Sequence, residues 1–212
     1  MDELEFLKKD WKKQGADFPK LTYDEIYKLI HKKSSSIVKL IFIICVAEFL
    51  FWGMITLLIP ESTFSIYEKF NLNTFLMIAQ GLHYAVVFFF IYLFYKNYKT
   101  ISVVDNTSLL MKNILKTRKT VNYYMYYNII LYVLISIVLN VVMFSHPDIL
   151  IENMMPKNAT VDSDRFLGIM IVVQIVVLLA MCAIIWVYYR IIYGILLKKL
   201  SKNYKELESL EV

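Results

Sequence analysis

Glycine, proline and cysteine are scarce in this sequence, and each shortage argues against a class of site. Only five glycines occur in 212 residues and none forms a P-loop, which argues against a loop that cradles phosphate. The two cysteines, Cys45 and Cys182, lie in apolar stretches without a CxxC pair, so we expect small buried side chains and no disulfide. No GxSxG or HExxH motif is present, and the sequence predicts neither an enzyme nor a cofactor.

Charged residues are also few, at 19% of the chain against 58% hydrophobic residues. A soluble domain is usually nearer one quarter charged, and about 20 mostly apolar residues cross a bilayer as a helix. The apolar residues concentrate in four runs: 37–59, 74–95, 123–145 and 166–189. The four prolines lie outside these runs, so no run is interrupted. We therefore expect an all-α polytopic membrane protein, a four-transmembrane-helix bundle with amphipathic cytoplasmic helices.

The distribution of Lys and Arg predicts the orientation of these four spans. Residues 1–36 carry eight cations, the connection 96–122 carries six, and the tail 190–212 carries five. The other two connections carry only Lys69, Lys157 and Arg165. The positive-inside rule then places both termini and the central connection in the cytoplasm. The basic surplus would face the anionic inner leaflet, so the net charge of +5 does not predict nucleic-acid binding.

Each of the three predicted cytoplasmic segments, 1–36, 96–122 and 190–212, carries an apolar stripe at helical spacing. Thr22 and Glu25 form a predicted capping box for a second N-terminal helix, and the serines at 34–36 suggest a helix junction at the surface. The sequence leaves three arrangements of these stripes open: they pack on one another, they lie on the inner leaflet, or they bind a partner. The sequence also leaves the oligomeric state open, and a homo-oligomer is one option. The candidate partner-binding residues are Leu4, Leu7, Trp11, Tyr23, Ile26 and Tyr27.

Polar residues within the predicted spans are candidates for a functional site inside the bundle, because lipid penalises polar side chains. Glu48 in the first span and His83 in the second are both predicted near the midplane, and Gln80 shares a face with His83. They fit either a proton or cation site or a single interhelical hydrogen bond. One Glu and one His are too few for a catalytic metal site, so we predict no bound metal. Ten tyrosines, among them Tyr124, Tyr188 and Tyr193, are predicted at the inner membrane edge.

The segments LEFLKKDWKKQ (residues 4–14) and FPKLTYDEIYKLIHKKSSSIVK (residues 18–39) resemble a family of uncharacterised four-span bacterial inner-membrane proteins. The resemblance covers the whole chain and implies no catalytic residue. Members of that family sometimes carry the name carotene monooxygenase. Carotenoid-cleaving oxygenases hold iron with four histidines, and this chain has three, spread over both membrane faces and the midplane.

Two functions follow from these patterns as hypotheses. The first is a non-enzymatic membrane-anchored regulator or scaffold that presents its N-terminal helices to a cytosolic or membrane partner. The second is a small ion- or proton-coupled carrier or channel that uses Glu48, Gln80 and His83.

Overall fold

The computed structural model describes residues 22–104, 106–154 and 162–209, apart from the side chain of Glu61. Within these ranges the chain forms helices joined by short turns, and no strand is present. The helices are α1 (Tyr23–Leu58), a 3-10 turn (Glu61–Phe64), α2 (Ser65–Lys69), α3 (Asn73–Ser102), α4 (Thr107–Phe144), α5 (Pro147–Met154) and α6 (Ser163–Glu208). The predicted all-α fold with four long helices is confirmed.

Side-chain caps fix the starts of three long helices. Thr22 and Glu25 form the predicted capping box, in which each side chain bonds to the backbone of the other residue. Asn106 accepts a hydrogen bond from the backbone of Leu109 and so caps α4, and Asp162 caps α6 in the same way. These bonds satisfy backbone N–H groups that have no partner inside the first helical turn.

All four long helices are long enough and apolar enough to cross a membrane. Each predicted span coincides with part of one long helix, except that the first and third spans extend one residue beyond the helix end. Helix α6 has 46 residues. At 1.5 Å per residue such a helix measures about 69 Å, against roughly 30 Å for the hydrocarbon core of a bilayer. A large part of α6 therefore lies beyond any membrane that it crosses.

The four long helices form a closed ring of antiparallel neighbours. Helix α1 packs on α3, α3 on α4, α4 on α6, and α6 on α1. The short helices α2 and α5 close one end of this ring, where a small apolar cluster forms around Phe70, Leu72, Leu150 and Phe166. The starts of α1 and α4 and the ends of α3 and α6 meet at the opposite end.

That opposite end contains the main core, and we call it the packed end. Its buried residues come from 30–48, 87–104, 110–124 and 189–207. The described parts of the three predicted stripes, within 22–36, 96–122 and 190–209, pack on one another here as continuations of the long helices. The predicted junction at Ser34 is wrong, because α1 runs through it unbroken. Ser34 is fully buried, and its hydroxyl accepts a hydrogen bond of 2.9 Å from the amide of Asn203.

The half of the bundle between the packed end and the Phe70 cluster is much more open. No residue of α4 after Tyr124 is buried, and none of α6 between Phe166 and Tyr189. The most apolar 18-residue window of each of these two helices contains no buried residue. The chain therefore leaves the apolar side chains of this half largely uncovered.

Candidate functional site

The open half encloses a cavity of about 790 Å³ between the four long helices. Its floor lies against the packed end, at Glu48, Tyr124 and Tyr189. Its far end is lined by Phe64, Tyr67 and Leu76, and the last two of these pack against the Phe70 cluster. The lining is mostly aromatic and aliphatic, with a few polar groups, which is the usual composition of a small-molecule site.

Glu48 is the polar centre of this cavity and is only 7% exposed. Three tyrosine hydroxyls donate hydrogen bonds to its side chain. Tyr188 donates to Oε1 at 2.8 Å, while Tyr124 and Tyr193 donate to Oε2 at 3.0 Å and 3.1 Å. A carboxylate accepts hydrogen bonds and donates none, so hydroxyl donors on both oxygens compensate for its removal from water.

Helical geometry explains how the chain builds this cage. Val38, Ile41, Cys45 and Glu48 follow one another at spacings of three and four residues, so they form one inward face of α1. Tyr188 and Tyr193 are five residues apart on α6, about 140° around the helix axis at 3.6 residues per turn. They can therefore reach different oxygens of one carboxylate. Cys45 is buried and free, as predicted, and Cys182 is free and half-buried.

An aromatic cluster seals the cavity floor. The ring of Tyr124 makes edge-on contacts with Phe90, Phe94, Tyr189 and Tyr193, with ring centroids 5.3 to 6.1 Å apart. Such contacts favour a fixed ring geometry and bury a large apolar area. The Tyr124 hydroxyl is thereby held at Glu48, and the cavity does not continue between these rings into the packed end.

His83 and Gln80 also line the cavity, so all three sequence-predicted polar residues share one site. Nδ1 of His83 lies 3.4 Å from the hydroxyl oxygen of Tyr127, and the two rings stack. Gln80 donates a hydrogen bond of 3.0 Å to the hydroxyl of Tyr84. Glu48 and His83 are therefore each bonded to tyrosine and not to one another.

The midplane depth predicted for Glu48 and the predicted end of the fourth span do not agree with one another. Counted along the first span, it lies 11 residues from the cytoplasmic end and near the midplane. Its hydrogen bonds to Tyr188 and Tyr193 place it beside the cytoplasmic end of the fourth span, which was predicted to stop at residue 189. The predicted spans therefore end at different levels of the bundle, because hydropathy marks each helix separately and helix packing sets their common depth.

Sequence reasoning found Glu48 but missed its tyrosine cage. Tyr124, Tyr188 and Tyr193 were among ten tyrosines interpreted as residues of the membrane edge, with hydroxyls that reach water. Tyr193 is instead fully buried, and all three hydroxyls point at Glu48. A sequence signal did exist for Tyr193, since it is the first residue of the apolar stripe 193, 197, 200, 204, 207 on α6. Tyr189 extends this stripe by one step toward the cavity floor.

The site contains few groups for catalysis or metal binding. Among the described residues no group of three or more His, Cys, Asp or Glu side chains could hold a metal ion. The part of the cavity lining that the structure describes has one carboxylate, Glu48, and one imidazole, His83. These groups can bind a ligand or exchange a proton with it.

The candidate partner-binding residues fall into two groups. Leu4, Leu7 and Trp11 lie outside the described residues. Ile26 and Tyr27 pack against the core of the packed end, and the Tyr27 hydroxyl donates to the carbonyl of Val104 at 3.0 Å. The hydroxyl of Tyr23 lies 2.9 Å from that of Thr107, within hydrogen-bond distance. These three therefore contact the chain's own helices, and partner binding through them stays a prediction.

No curated protein and no solved structure matches this chain. One family model does match, over residues 24–212, and it carries no assigned function. This agrees with the resemblance to an uncharacterised family, and it covers the helices, the packed end and the Glu48 cavity. The chain belongs to the family described as a domain of unknown function, DUF8845.

Proposed function

We propose that this chain is a multi-pass bacterial inner-membrane protein that binds a small, largely apolar ligand in the Glu48 cavity. The observation that carries this proposal is the carboxylate of Glu48, held by three tyrosines on the floor of a mostly apolar cavity. A buried carboxyl is costly, and intramembrane ionisable residues commonly mark substrate or ion sites. A purely structural role would be served more cheaply by an apolar side chain.

The uncovered apolar surface supports the membrane location. Large apolar side chains face outward along all four long helices, including Leu57, Leu82, Ile130 and Leu179. Soluble monomers rarely expose continuous apolar patches of more than a few hundred square ångströms. Lipid tails would cover these side chains without cost, and the long helices satisfy their own backbone hydrogen bonds, as a bilayer requires.

The cations support an orientation with both termini in the cytoplasm. The packed end carries Lys on all four long helices, whereas the described part of the opposite end carries only Lys69 and Arg165. Reporter fusions test the orientation directly. Fusions after residue 209 and at Lys116 should be active only as cytoplasmic reporters, and a fusion near Glu152 only as a periplasmic one. The reverse pattern would contradict the proposal.

Ligand binding can be tested with a neutral apolar fluorophore, N-phenyl-1-naphthylamine, added to the protein in lipid nanodiscs. We expect saturable binding above that of empty nanodiscs. Ala79 lines the cavity, and Ala79→Trp should place an indole ring in it and weaken the saturable component. Ala180 is exposed on α6, and Ala180→Trp adds the same ring outside the cavity, so it should leave binding unchanged.

The same experiment can contradict the proposal. Binding that does not saturate, or that Ala79→Trp and Ala180→Trp change equally, would mean that the fluorophore enters lipid and not the cavity. Thermal unfolding of both variants in nanodiscs accompanies the titration. A cooperative transition near that of the wild type shows that Ala79→Trp weakens binding because its ring obstructs the cavity and not because the protein unfolds.

Coupled transport is a second candidate, favoured by the position of a protonatable carboxyl in the cavity wall. Intramembrane carboxyls serve as coupling sites in many transporters. A cation or proton flux into proteoliposomes that Glu48→Gln reduces would support a carrier. A flux that is absent, or unchanged in this variant, would leave the protein as a binding protein only.

The regulator hypothesis remains a proposal for the N-terminal residues. A crosslinked pulldown that compares wild type with a deletion of residues 1–21 tests it best. A deletion extended to residue 33 would also remove Ile30 from the core of the packed end, and would confuse loss of a partner with loss of the fold. Equal recovery of proteins by the wild type and the shorter deletion would reject the hypothesis.

A further inference from the structure

The geometry points to a ligand class for the Glu48 cavity: we propose that it binds an organic cation with an apolar, aromatic-sized body. This inference rests on the proposed function and adds the charge of the ligand. Three features of the cavity carry it, namely its net charge, one open acceptor position on Glu48, and its aromatic walls.

The charge of the cavity is one-sided. Among the described residues that line it, Glu48 is the only acidic residue, and none is Lys or Arg. The tyrosine hydroxyls that compensate Glu48 are dipoles and not cations, so they leave its formal charge unpaired. Arg190, the residue after Tyr189, does not line the cavity, and its guanidinium lies over the ring of Trp186. A positive ligand would supply the missing counter-charge in a site of low dielectric, where such an attraction is strong.

The carboxylate also has a free acceptor position. Oε2 accepts two tyrosine hydroxyls, whereas Oε1 accepts only that of Tyr188. A carboxylate has about four lone-pair positions, so Oε1 retains one of its two. Tyr188, the described donor to Oε1, lines the cavity; of the two donors to Oε2, Tyr124 lines it and Tyr193 does not, so Oε1 has its donor in the cavity wall. An N–H group of a bound ammonium would complete its set of hydrogen bonds.

Aromatic rings surround the acid. Phe49, Trp52, Tyr84 and Tyr132 line the walls, and Tyr189 lies at the floor. The faces of aromatic rings attract cations, and cages of such rings commonly recognise quaternary ammonium groups. The described lining offers a metal ion only one carboxylate, while the cavity, at about 790 Å³, has the size of pockets that hold drug-sized molecules. The cavity therefore favours an organic cation over a metal ion.

Two probes of nearly equal shape and opposite charge test this inference: tetraphenylphosphonium and tetraphenylborate. Each is titrated by equilibrium dialysis against wild-type protein and the Glu48→Gln variant in nanodiscs. Comparing the two proteins for one probe removes the contribution of lipid partitioning. We expect Glu48→Gln to weaken phosphonium binding by about tenfold or more, and not to weaken borate binding.

Two further measurements separate charge from folding. Glu48→Gln in nanodiscs should unfold in a cooperative thermal transition near that of the wild type, which shows that the bundle persists. Tyr188→Phe keeps the carboxylate and removes the hydroxyl from Oε1, so it should bind the phosphonium at least as tightly as wild type.

The outcomes distinguish this inference from the function on which it rests. If wild type binds the neutral fluorophore saturably but binds the phosphonium no better than Glu48→Gln does, the cation inference is wrong and the binding function stands. If the fluorophore does not bind saturably, the proposed function itself fails. Phosphonium binding that is strong in wild type, weak in Glu48→Gln and retained in Tyr188→Phe supports both.

Discussion

The two halves of the bundle use the same four helices in opposite ways. At the packed end, apolar side chains of all four helices face one another and are covered by the chain itself. In the open half the most apolar windows of α4 and α6 contain no buried residue, and the space between the helices is a cavity. Glu48 lies at the boundary between the two halves. The less apolar end thus has the tighter core, which fits the proposed membrane location, since water drives apolar side chains together and lipid does not.

This difference separates stability from function within one fold. The packed end holds the helices in register through apolar contacts and buried polar pairs such as Asn203 with Ser34 and Asn97 with Thr120. The open half can then keep a cavity without losing the helix arrangement. Substitutions that are chemically matched between the halves should therefore differ sharply in effect. Three such comparisons follow in order of expected size, and a fourth, smaller prediction concerns the packed end alone.

The largest difference is expected between two isoleucines. Ile114 is fully buried at the packed end, whereas Ile184 lines the cavity and is 61% exposed. Ile114→Ala should lower the free energy of unfolding by about 2–5 kcal/mol, because it leaves a void in a close-packed core. Ile184→Ala enlarges an existing space and should cost less than about 1 kcal/mol. Reversible unfolding in mixed micelles measures both, and equal losses would contradict the division into two halves.

Two asparagines give the next comparison. The amide of Asn203 donates to the buried hydroxyl of Ser34 on another helix, whereas the amide of Asn128 donates to the carbonyl of Tyr124 on its own helix. Asn203→Ala should cost about 1–3 kcal/mol, since it leaves a buried hydroxyl without its donor. Asn128→Ala should cost clearly less. A double-mutant cycle with Ser34→Ala measures the coupling, and a coupling of zero would show that the pair does not stabilise the bundle.

The tyrosines of the Glu48 cage should separate stability from binding. Tyr193 is fully buried beneath the cavity, while Tyr188 lines it. Tyr193→Phe should destabilise the fold by about 1 kcal/mol through loss of a buried hydrogen bond, with unchanged affinity for tetraphenylphosphonium. Tyr188→Phe leaves Oε1 of the buried carboxylate without its described donor, so it should destabilise the fold by at least as much and should also alter phosphonium binding. Thermal unfolding and dialysis on the same samples test the pair, and a reversed pattern would place the ligand elsewhere.

The smallest effect concerns the exposed start of α1. The backbone N–H of Thr22 donates to the carboxylate of Glu25 at 2.8 Å and holds the pKa of Glu25 below its usual value. A lowered pKa in the folded state means that this bond stabilises the helix start above the ordinary pKa, and that the effect is lost as pH falls through the lowered one. Hydrogen exchange of the first turn should therefore be slower in wild type than in Glu25→Ala at neutral pH. The difference should vanish in acid, with Asp24→Ala as the control.

Local patterns in the sequence predicted much of this structure. The four apolar runs and the capping box at Thr22 depend on nearest neighbours along the chain, and the long helices and the capping box are present as predicted. The placement of Glu48, Gln80 and His83 in one site followed from lipid's penalty on polar groups.

What the sequence could not supply was the pairing between helices. The burial of Ser34 depends on Asn203, which is 169 residues away, and serines in a row are otherwise typical of a surface junction. The partners of Glu48 depend on how far α6 slides along α1, which hydropathy does not determine. For the same reason the tyrosines of the cage could not be distinguished from those that face outward, such as Tyr123 and Tyr126.

The hydrogen bond between Ser34 and Asn203 joins α1, the first long helix, to α6, the last. These two helices therefore pack on one another as the other neighbours in the ring do. A circular permutant that links the present termini and opens the turn before Asn106 would keep every helix next to its present neighbours. Both new ends would still lie at the packed end. The order in which the helices leave the ribosome is thus separable from the final arrangement, and the two halves of a split gene have the contacts needed to reassemble in one membrane.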